Sequence, residues 1–387
     1  MAGAFLRLGL TSFGGPVAHL GYFQKEFVER RRWLDDAAFA DLVALCQFLP
    51  GPASSQVAFC LGMLRAGVAG ALLASVCFLL PSATAMILLA YGIAALGNAP
   101  HAGWLHGLKL AAVAVVAQAV WRMGIRLCPD AWRRFLAAAA AAVVLLLPGI
   151  RTQVGAIAAC ALCGLFILRG PSAPGPGRRA ALGRAHGWAA AALAVFALLL
   201  FTLPVAGRLS GARDVQLLDR FYRAGALVFG GGHVVLPLLR SAVVPPGWIG
   251  DDAFIAGYGA VQAVPGPLFS FAGYLGTAIQ GGSHAWVGGI LALFALYLPG
   301  WLLVGGAYPF WHWLRLQPGA YAALAGANAA VVGLLLAALY HPLCTDAVLG
   351  IPDLVAAAGG IFLLEKLRVP PWAVVGLLAA AGQFLLS

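Results

Sequence analysis

Stretches of about 20 apolar residues, long enough as helix to cross a hydrocarbon core of roughly 30 Å, recur from one end of this sequence to the other. Thirteen can be read, at 3–24, 37–64, 66–97, 101–127, 132–148, 150–168, 187–206, 216–241, 252–280, 284–308, 318–341, 345–364 and 370–386. With only 10% charged residues against 62% apolar ones, the chain could not cover a soluble domain, which carries roughly a quarter charged residues. Inside a bilayer each backbone polar group must be satisfied within the chain, so such runs fold as helices. The expected class is an all-α polytopic membrane protein. No small-residue cleavage pattern follows a basic start, so no removable signal peptide is expected.

The formal net charge of +11 is read in that setting. Its Lys and Arg residues sit in short loops between apolar runs, the pattern of cytoplasmic loops, and not in a patch that would hold nucleic acid. Lys25 with Arg30, Arg31 and Arg32, then Arg122, Arg126, Arg133 and Arg134, then Arg169, Arg178, Arg179 and Arg184 mark three cytoplasmic segments. The last group lies in a Pro-, Gly- and Arg-rich stretch, 169–187, with the composition of a linker. Cys160 and Cys163 form a C-x-x-C inside an Ala-rich run without polar neighbours, the setting of small packing residues.

An internal repeat organises the chain. Phe5, Arg7, Gly9, Phe13, Gly14, Gly15 and Leu20 recur as Phe221, Arg223, Gly225, Phe229, Gly230, Gly231 and Leu236. Trp33-Leu34-Asp35-Asp36 is followed in the second copy by Trp248-Ile249-Gly250-Asp251, and Gln47…Pro50-Gly51-Pro52 by Gln262…Pro265-Gly266-Pro267. In each copy the first two apolar segments are interrupted, one by Gly-Gly and one by Pro-Gly-Pro. Proline removes a donor and clashes with the preceding turn, so these helices break. Such breaks at membrane depth persist only where they face protein or a cavity. Paired breaks in two halves point to a transporter site.

Loop charges then set the topology. If segment 37–64 enters and leaves from the cytoplasmic side, all three basic segments fall inside and the loop 98–103 outside. The seventh segment carries the chain across, so the second repeat runs inverted; only 207–220, with Arg208 and Arg213 outside, disagrees. The organisation expected is an N-terminal repeat (1–168), a cytoplasmic linker with a connecting transmembrane helix (169–206) and an inverted C-terminal repeat (207–387). Whether 3–24 and 216–241 span or re-enter is open.

A helix that restarts at mid-membrane presents free N–H groups and the positive end of its dipole, which suits an anion. Gly14, Gly15 and Pro16 open one half-helix, and Pro50, Gly51 and Pro52 lead into another carrying Ser54 and Ser55. The second copy supplies Gly230, Gly231, Gly232 and His233, and Pro265, Gly266 and Pro267 with Ser270. Four such ends could cradle one small anion. Arg7 and Arg223 either join that site as bidentate partners of a dianion or snorkel to a headgroup. Gln47 and Gln262 could cap carbonyls freed by the prolines. Asp41 is either a coupling carboxylate or a helix-end residue near water, and Lys109 is expected to snorkel. His19 and His233 do not match in alignment and lack ligand partners at metal spacing, so neither a metal nor a catalytic centre is expected.

The blocks FLRLGLTSFGGPVAHLGYF, WLDDAAFADLVALCQFLPGPASSQVAF, FYRAGALVFGGGHVVLPLL and VQAVPGP resemble the chromate ion transporter family, in a long two-domain form. The resemblance implies export of chromate across the bacterial inner membrane, with sulfate as the related competitor, no cofactor and no enzymatic step. It places the family's motifs on Gly14, Gly15, Pro16 and Pro50, Gly51, Pro52, with Gly232 departing from the pattern where the first copy has Pro16. A homodimer is compatible with a lipid-embedded carrier, although no residue specifies one. Alternating access would let the membrane potential, a proton gradient or both do the work. A dianion gains roughly 4.6 kcal/mol per 100 mV on leaving an inside-negative cell, enough for a gradient of about a thousandfold. Rival readings are a carrier of sulfate or another tetrahedral oxyanion, an intramembrane reductase and a passive anion channel.

Overall fold

The computed structural model describes residues 1–95, 103–168, 186–229, 231–314 and 317–385. Most of the linker 169–187, most of the loop 98–103, Gly230 and Arg315 lie outside them. The described residues form helices and turns and no strand. Among them, six helices are long and apolar enough to cross a membrane.

The first apolar run divides into α1 (Ala2–Thr11) and α2 (Gly15–Phe23), the latter continued by a π-helical turn, Gln24–Arg30. The second divides into α3 (Asp36–Phe48) and α4 (Ala53–Ala95), and α4 itself turns at Ala66 and Gly67, leaving arms at 53–65 and 68–95. Then follow α5 (Gly103–Leu127), α6 (Ala131–Leu146), α7 (Ile150–Ile167) and α8 (His186–Ser210). The second copy repeats the pattern. Its first run becomes α9 (Arg213–Ala226) and α10 (Val235–Val243), and its second α11 (Asp251–Val261) and α12 (Phe271–Gln280). Short 3-10 turns, Gly232–Val234 and Leu268–Ser270, lead into α10 and α12. Next come α13 (Ala285–Ala307), α14 (Trp311–Leu314), α15 (Pro318–Ala338), α16 (Thr345–Ala347), α17 (Ile351–Glu365) and α18 (Pro371–Leu385).

All four interrupted runs double back as hairpins. In the first half the open ends gather around Trp33. The Phe5 ring lies 4.8 Å from Phe27 and 6.4 Å from Trp33, and the Arg65 guanidinium lies 5.6 Å over the same indole. Trp248 does the same in the second half, with Arg220 at 4.2 Å and Arg213 at 5.7 Å. The fourth hairpin is closed by Tyr274 Oη, which donates to the Ala253 carbonyl at 2.9 Å.

Small residues let the arms touch backbone to backbone, the device that replaces hydrophobic driving force inside lipid. A Cβ added to Gly62 would lie 2.3 Å from the Gly70 carbonyl oxygen, and one added to Gly276 2.2 Å from that of Gly288. Both contacts lie between the second arm of a hairpin and the long helical arm that follows it. Longer helices tie the halves together. The 68–95 arm starts near Trp33 and ends with Tyr91 Oη donating to Ser283 O and accepting from Trp286 N, both at 3.0 Å. In the opposite sense, α13 starts at that far end, and the chain after it brings Trp311 Nε1 within 3.0 Å of Asp41 Oδ1.

Candidate anion site at four helix breaks

At the two Pro-Gly-Pro blocks the prolines remove donors, and Gly51 (φ 128°) and Gly266 (φ 99°) take a left-handed conformation that L side chains avoid. Each glycine then donates across to the opposite copy. Gly51 N–H reaches Val228 O at 2.7 Å, and Gly266 N–H reaches Ser12 O at 2.8 Å. Val228 and Ser12 are themselves equivalent positions at the Gly-Gly breaks, so the four hairpin tips meet in one reciprocal crossing. His19, buried, hydrogen-bonds the same Ser12 carbonyl through Nε2 at 3.2 Å.

The tips frame a cavity of about 1170 Å³. Gly14, Gly15, Gln47, Gly51, Gly231, Gly232, His233, Gln262 and Gly266 line it, so each of the four breaks contributes. The helices restarting at α2, at the 3-10 turn before α10 and at the turn before α12 have no side-chain cap, leaving their first N–H groups for another acceptor. Gln262 Nε2 is buried without a well-formed hydrogen bond, and so is Asn328 Oδ1 on the α15 wall. Buried polar groups are normally paired. His233 is held by the Tyr258 hydroxyl at 2.8 Å.

The other wall carries charge. Gln118, Arg122 and Arg126 stand at helical i, i+4 spacing on α5, and Arg368 enters from the turn after α17 in a left-handed conformation, φ 54°. No carboxylate is among the described lining residues. Behind the wall, Glu365 Oε2 accepts from Gln118 Nε2 at 2.9 Å and from Arg122 Nε at 3.1 Å. The Gln118 bond, followed by Arg122, holds the Glu365 carboxyl below its ordinary range. Arg126 and Arg368 make no ion pair among the described residues. The cavity therefore offers unpaired guanidinium groups at one exposed end and backbone donors at its buried end, an arrangement suited to a small anion.

Several residues singled out from the sequence lie elsewhere. Arg7 opens into a separate surface pocket, and Arg223 is ion-paired with Asp219, so the structure brings neither to the cavity. Ser54, Ser55 and Ser270 are buried but do not line it, and the hydroxyls of Ser55 and Ser270, equivalent in the repeat, make no well-formed hydrogen bond, although Ser55 faces the Tyr297 hydroxyl. Pro50, Pro52, Pro265 and Pro267 shape the breaks from outside the lining, and Pro16 stands at the start of α2. Gly230 lies outside the described residues.

The freed carbonyls are not capped by Gln47 or Gln262. Gln56, fully buried, donates Nε2 to Pro50 O at 2.9 Å and to Gly300 O at 3.2 Å. Its place one turn into the restarting helix lets it reach back over the break, whereas Gln47 ends the preceding arm and points into the cavity. Asp41 accepts from Trp311, and Lys109 is paired with Asp252 at 2.6 Å instead of snorkelling alone. Both Cys160 and Cys163 are free thiols, and the Cys160 carbonyl packs where Gly326 of α15 has no side chain.

Apolar helices in this number, with broken hairpins meeting at a cavity rimmed by arginines, define a multi-pass membrane transport protein. The chain belongs to the chromate transporter family, whose profile, "Chromate transporter", matches residues 1–165 and 215–383. The family's role is transport and not catalysis. A "Chromate transport protein" of Cupriavidus metallidurans is 27% identical over 376 residues, covering 94% of this chain and 87% of the relative. One of the same description from Pseudomonas aeruginosa is 29% identical over 336 residues, covering 86% and 77%. A "Probable chromate transport protein" of Synechococcus elongatus is 26% identical over 343 residues, covering 87% and 82%. No solved structure gives a significant match.

Proposed function

We propose that this protein exports chromate from the bacterial cytoplasm across the inner membrane, by alternating access of two inverted repeats around the cavity at the four breaks. The observation that carries the reading is that cavity, lined by all four breaks and by three arginines, with no described carboxylate among its lining residues. The relatives named for chromate transport support the substrate. The repeats are 1–168 and 207–387, and 169–206 supplies a cytoplasmic linker and the connecting helix α8.

Three features support the inverted relation. The reciprocal Gly51–Val228 and Gly266–Ser12 bonds pair equivalent atoms of the two copies. Trp33 and Trp248 collect the hairpin ends of their own halves. The 68–95 arm and α13 cross between those two ends in opposite senses. Positive-inside loop charges put the arginine rim toward the cytoplasm, which supports reading this conformation as inward-open, with the Tyr91 contacts on the outer side. In this reading Ser55 and Ser270, buried here without a well-formed hydrogen bond, meet the anion when the half-helices shift.

The membrane potential drives a dianion outward by roughly 2.3 kcal/mol per charge per 100 mV. Backbone amides and guanidinium groups read charge and tetrahedral shape, which sulfate shares, so sulfate competes at the same site. The test is chromate and sulfate flux, side by side, in inside-out and right-side-out vesicles at clamped potential. Wild type should move chromate toward the positive side, and Arg126→Ala/Arg368→Ala should weaken that flux. Sulfate flux without chromate flux would replace the substrate; transport at zero potential driven by a pH gradient alone would overturn uncoupled export.

A further inference from the structure

Arg7 and Arg223 occupy equivalent positions, yet only one has an internal counter-ion. Arg223 is paired with Asp219, one turn earlier on α9. The residue one turn before Arg7 is Gly3, so the first copy lacks the acid. Arg7 is exposed, and no described side chain forms an ion pair with it. It shares the outward face of α1 with Leu6 (37% exposed) and Leu10 (55%). A guanidinium among lipid-facing side chains, about 7.5 Å along the helix from Ala2, needs an anion within reach.

The surroundings say which anion. Arg7, Lys25, Glu26, Glu29 and Arg30 line a pocket of about 740 Å³ between the arms of the first hairpin, with Tyr22 beside them. Glu26 is consumed by Arg30 and Arg31, at 2.9 and 2.6 Å. That leaves Arg7 and Lys25 as cations and Glu29 as an acid, next to apolar side chains that face outward. We propose that this pocket binds the headgroup of a membrane phospholipid carrying both a phosphate and a primary ammonium, as in phosphatidylethanolamine. Arg7 and Lys25 hold the phosphate, Glu29 faces the ammonium, and Leu6, Leu10 and Tyr22 lie along the acyl chains. The lipid takes the place that Asp219 fills in the second copy. The site is separate from the transport cavity, and the inference does not depend on which anion is transported.

The test is native mass spectrometry of the purified full-length chain, from micelles containing phosphatidylethanolamine, phosphatidylcholine and phosphatidylglycerol. Wild type should retain phosphatidylethanolamine preferentially. Arg7→Ala and Lys25→Ala should each reduce retention about tenfold, and Glu29→Gln should abolish the preference over phosphatidylglycerol. Gly3→Asp is the decisive variant, because a Cβ at Gly3 meets nothing within 4 Å and the new carboxylate would neutralise Arg7 as Asp219 neutralises Arg223. It should lose the lipid while keeping the wild-type melting temperature. Unchanged retention in both Arg7→Ala and Gly3→Asp would overturn the proposal, as would complete displacement of the lipid by inorganic phosphate or chromate.

Discussion

Replacing Gln56 by Met keeps the length and flexibility of the side chain but removes the amide that holds the first Pro-Gly-Pro break. Pro50 O, partly buried, loses its donor, while Gly300 O, inside α13, keeps its helical N–H partner and loses a second bond. Losing one bond to an acceptor that stays satisfied, or that cavity water can reach, costs about 0.5–1.5 kcal/mol. The sum is about 1–3 kcal/mol, or roughly 5- to 150-fold in the folding equilibrium. Reversible unfolding of the reconstituted protein in mixed micelles, followed by tryptophan fluorescence, measures it. Gln47→Met is the matched control on the other side of the same break: it lines the cavity, so its stability should stay within about 0.5 kcal/mol of wild type while its chromate KM rises. Equal destabilisation by the two substitutions, or none by Gln56→Met, would refute the assignment of the cap.

Arg126→Ala and Arg368→Ala should each raise the chromate KM about tenfold, equivalent to about 1.4 kcal/mol, with a larger effect at low ionic strength; flux assays at two salt concentrations check both. Glu365→Gln frees Arg122 and removes a negative charge behind the rim, so KM should fall and maximal flux should fall with it as release slows. Because the Glu365 carboxyl is held below its ordinary value, any stability its contacts contribute is present above that ordinary value and is lost only as pH falls through the lowered one. Melting curves of wild type and Glu365→Gln should therefore run in parallel from pH 6 to 8. Gly276→Val forces a side chain into the backbone contact with Gly288, and should prevent accumulation of folded protein in the membrane, read by size-exclusion profile.

What the sequence makes legible follows from the bilayer. Long apolar runs, Gly-Gly and Pro-Gly-Pro interruptions and their repetition locate the helices and the breaks, because proline and left-handed glycine act locally. The convergence of the breaks on a cavity was legible too, from the cost of leaving free backbone groups in lipid. Side-chain direction was not. Gln47 and Gln56 flank the same break, and only the restarting helix decides which one reaches back over it. Arg122 and Arg126 read as loop charges, yet with Gln118 and Val115 they form one helical stripe on α5, a periodicity the loop-charge argument passes over. Arg7 and Arg223 match in the repeat but differ in their surroundings, because Asp219 has Gly3 as its counterpart. Repeat symmetry specifies the backbone and leaves the charges free to diverge.

The central claim is that the anion sits among the four breaks. Cryo-electron microscopy of the protein in lipid nanodiscs, with and without saturating chromate, tests it most directly. A tetrahedral density within hydrogen-bond reach of the backbone amides at Gly14, Gly15, Gly231 and Gly232, on the path from Arg126 and Arg368, is the result expected. A chromate density at Arg7 or Arg223, with the cavity between the breaks unchanged, would contradict it.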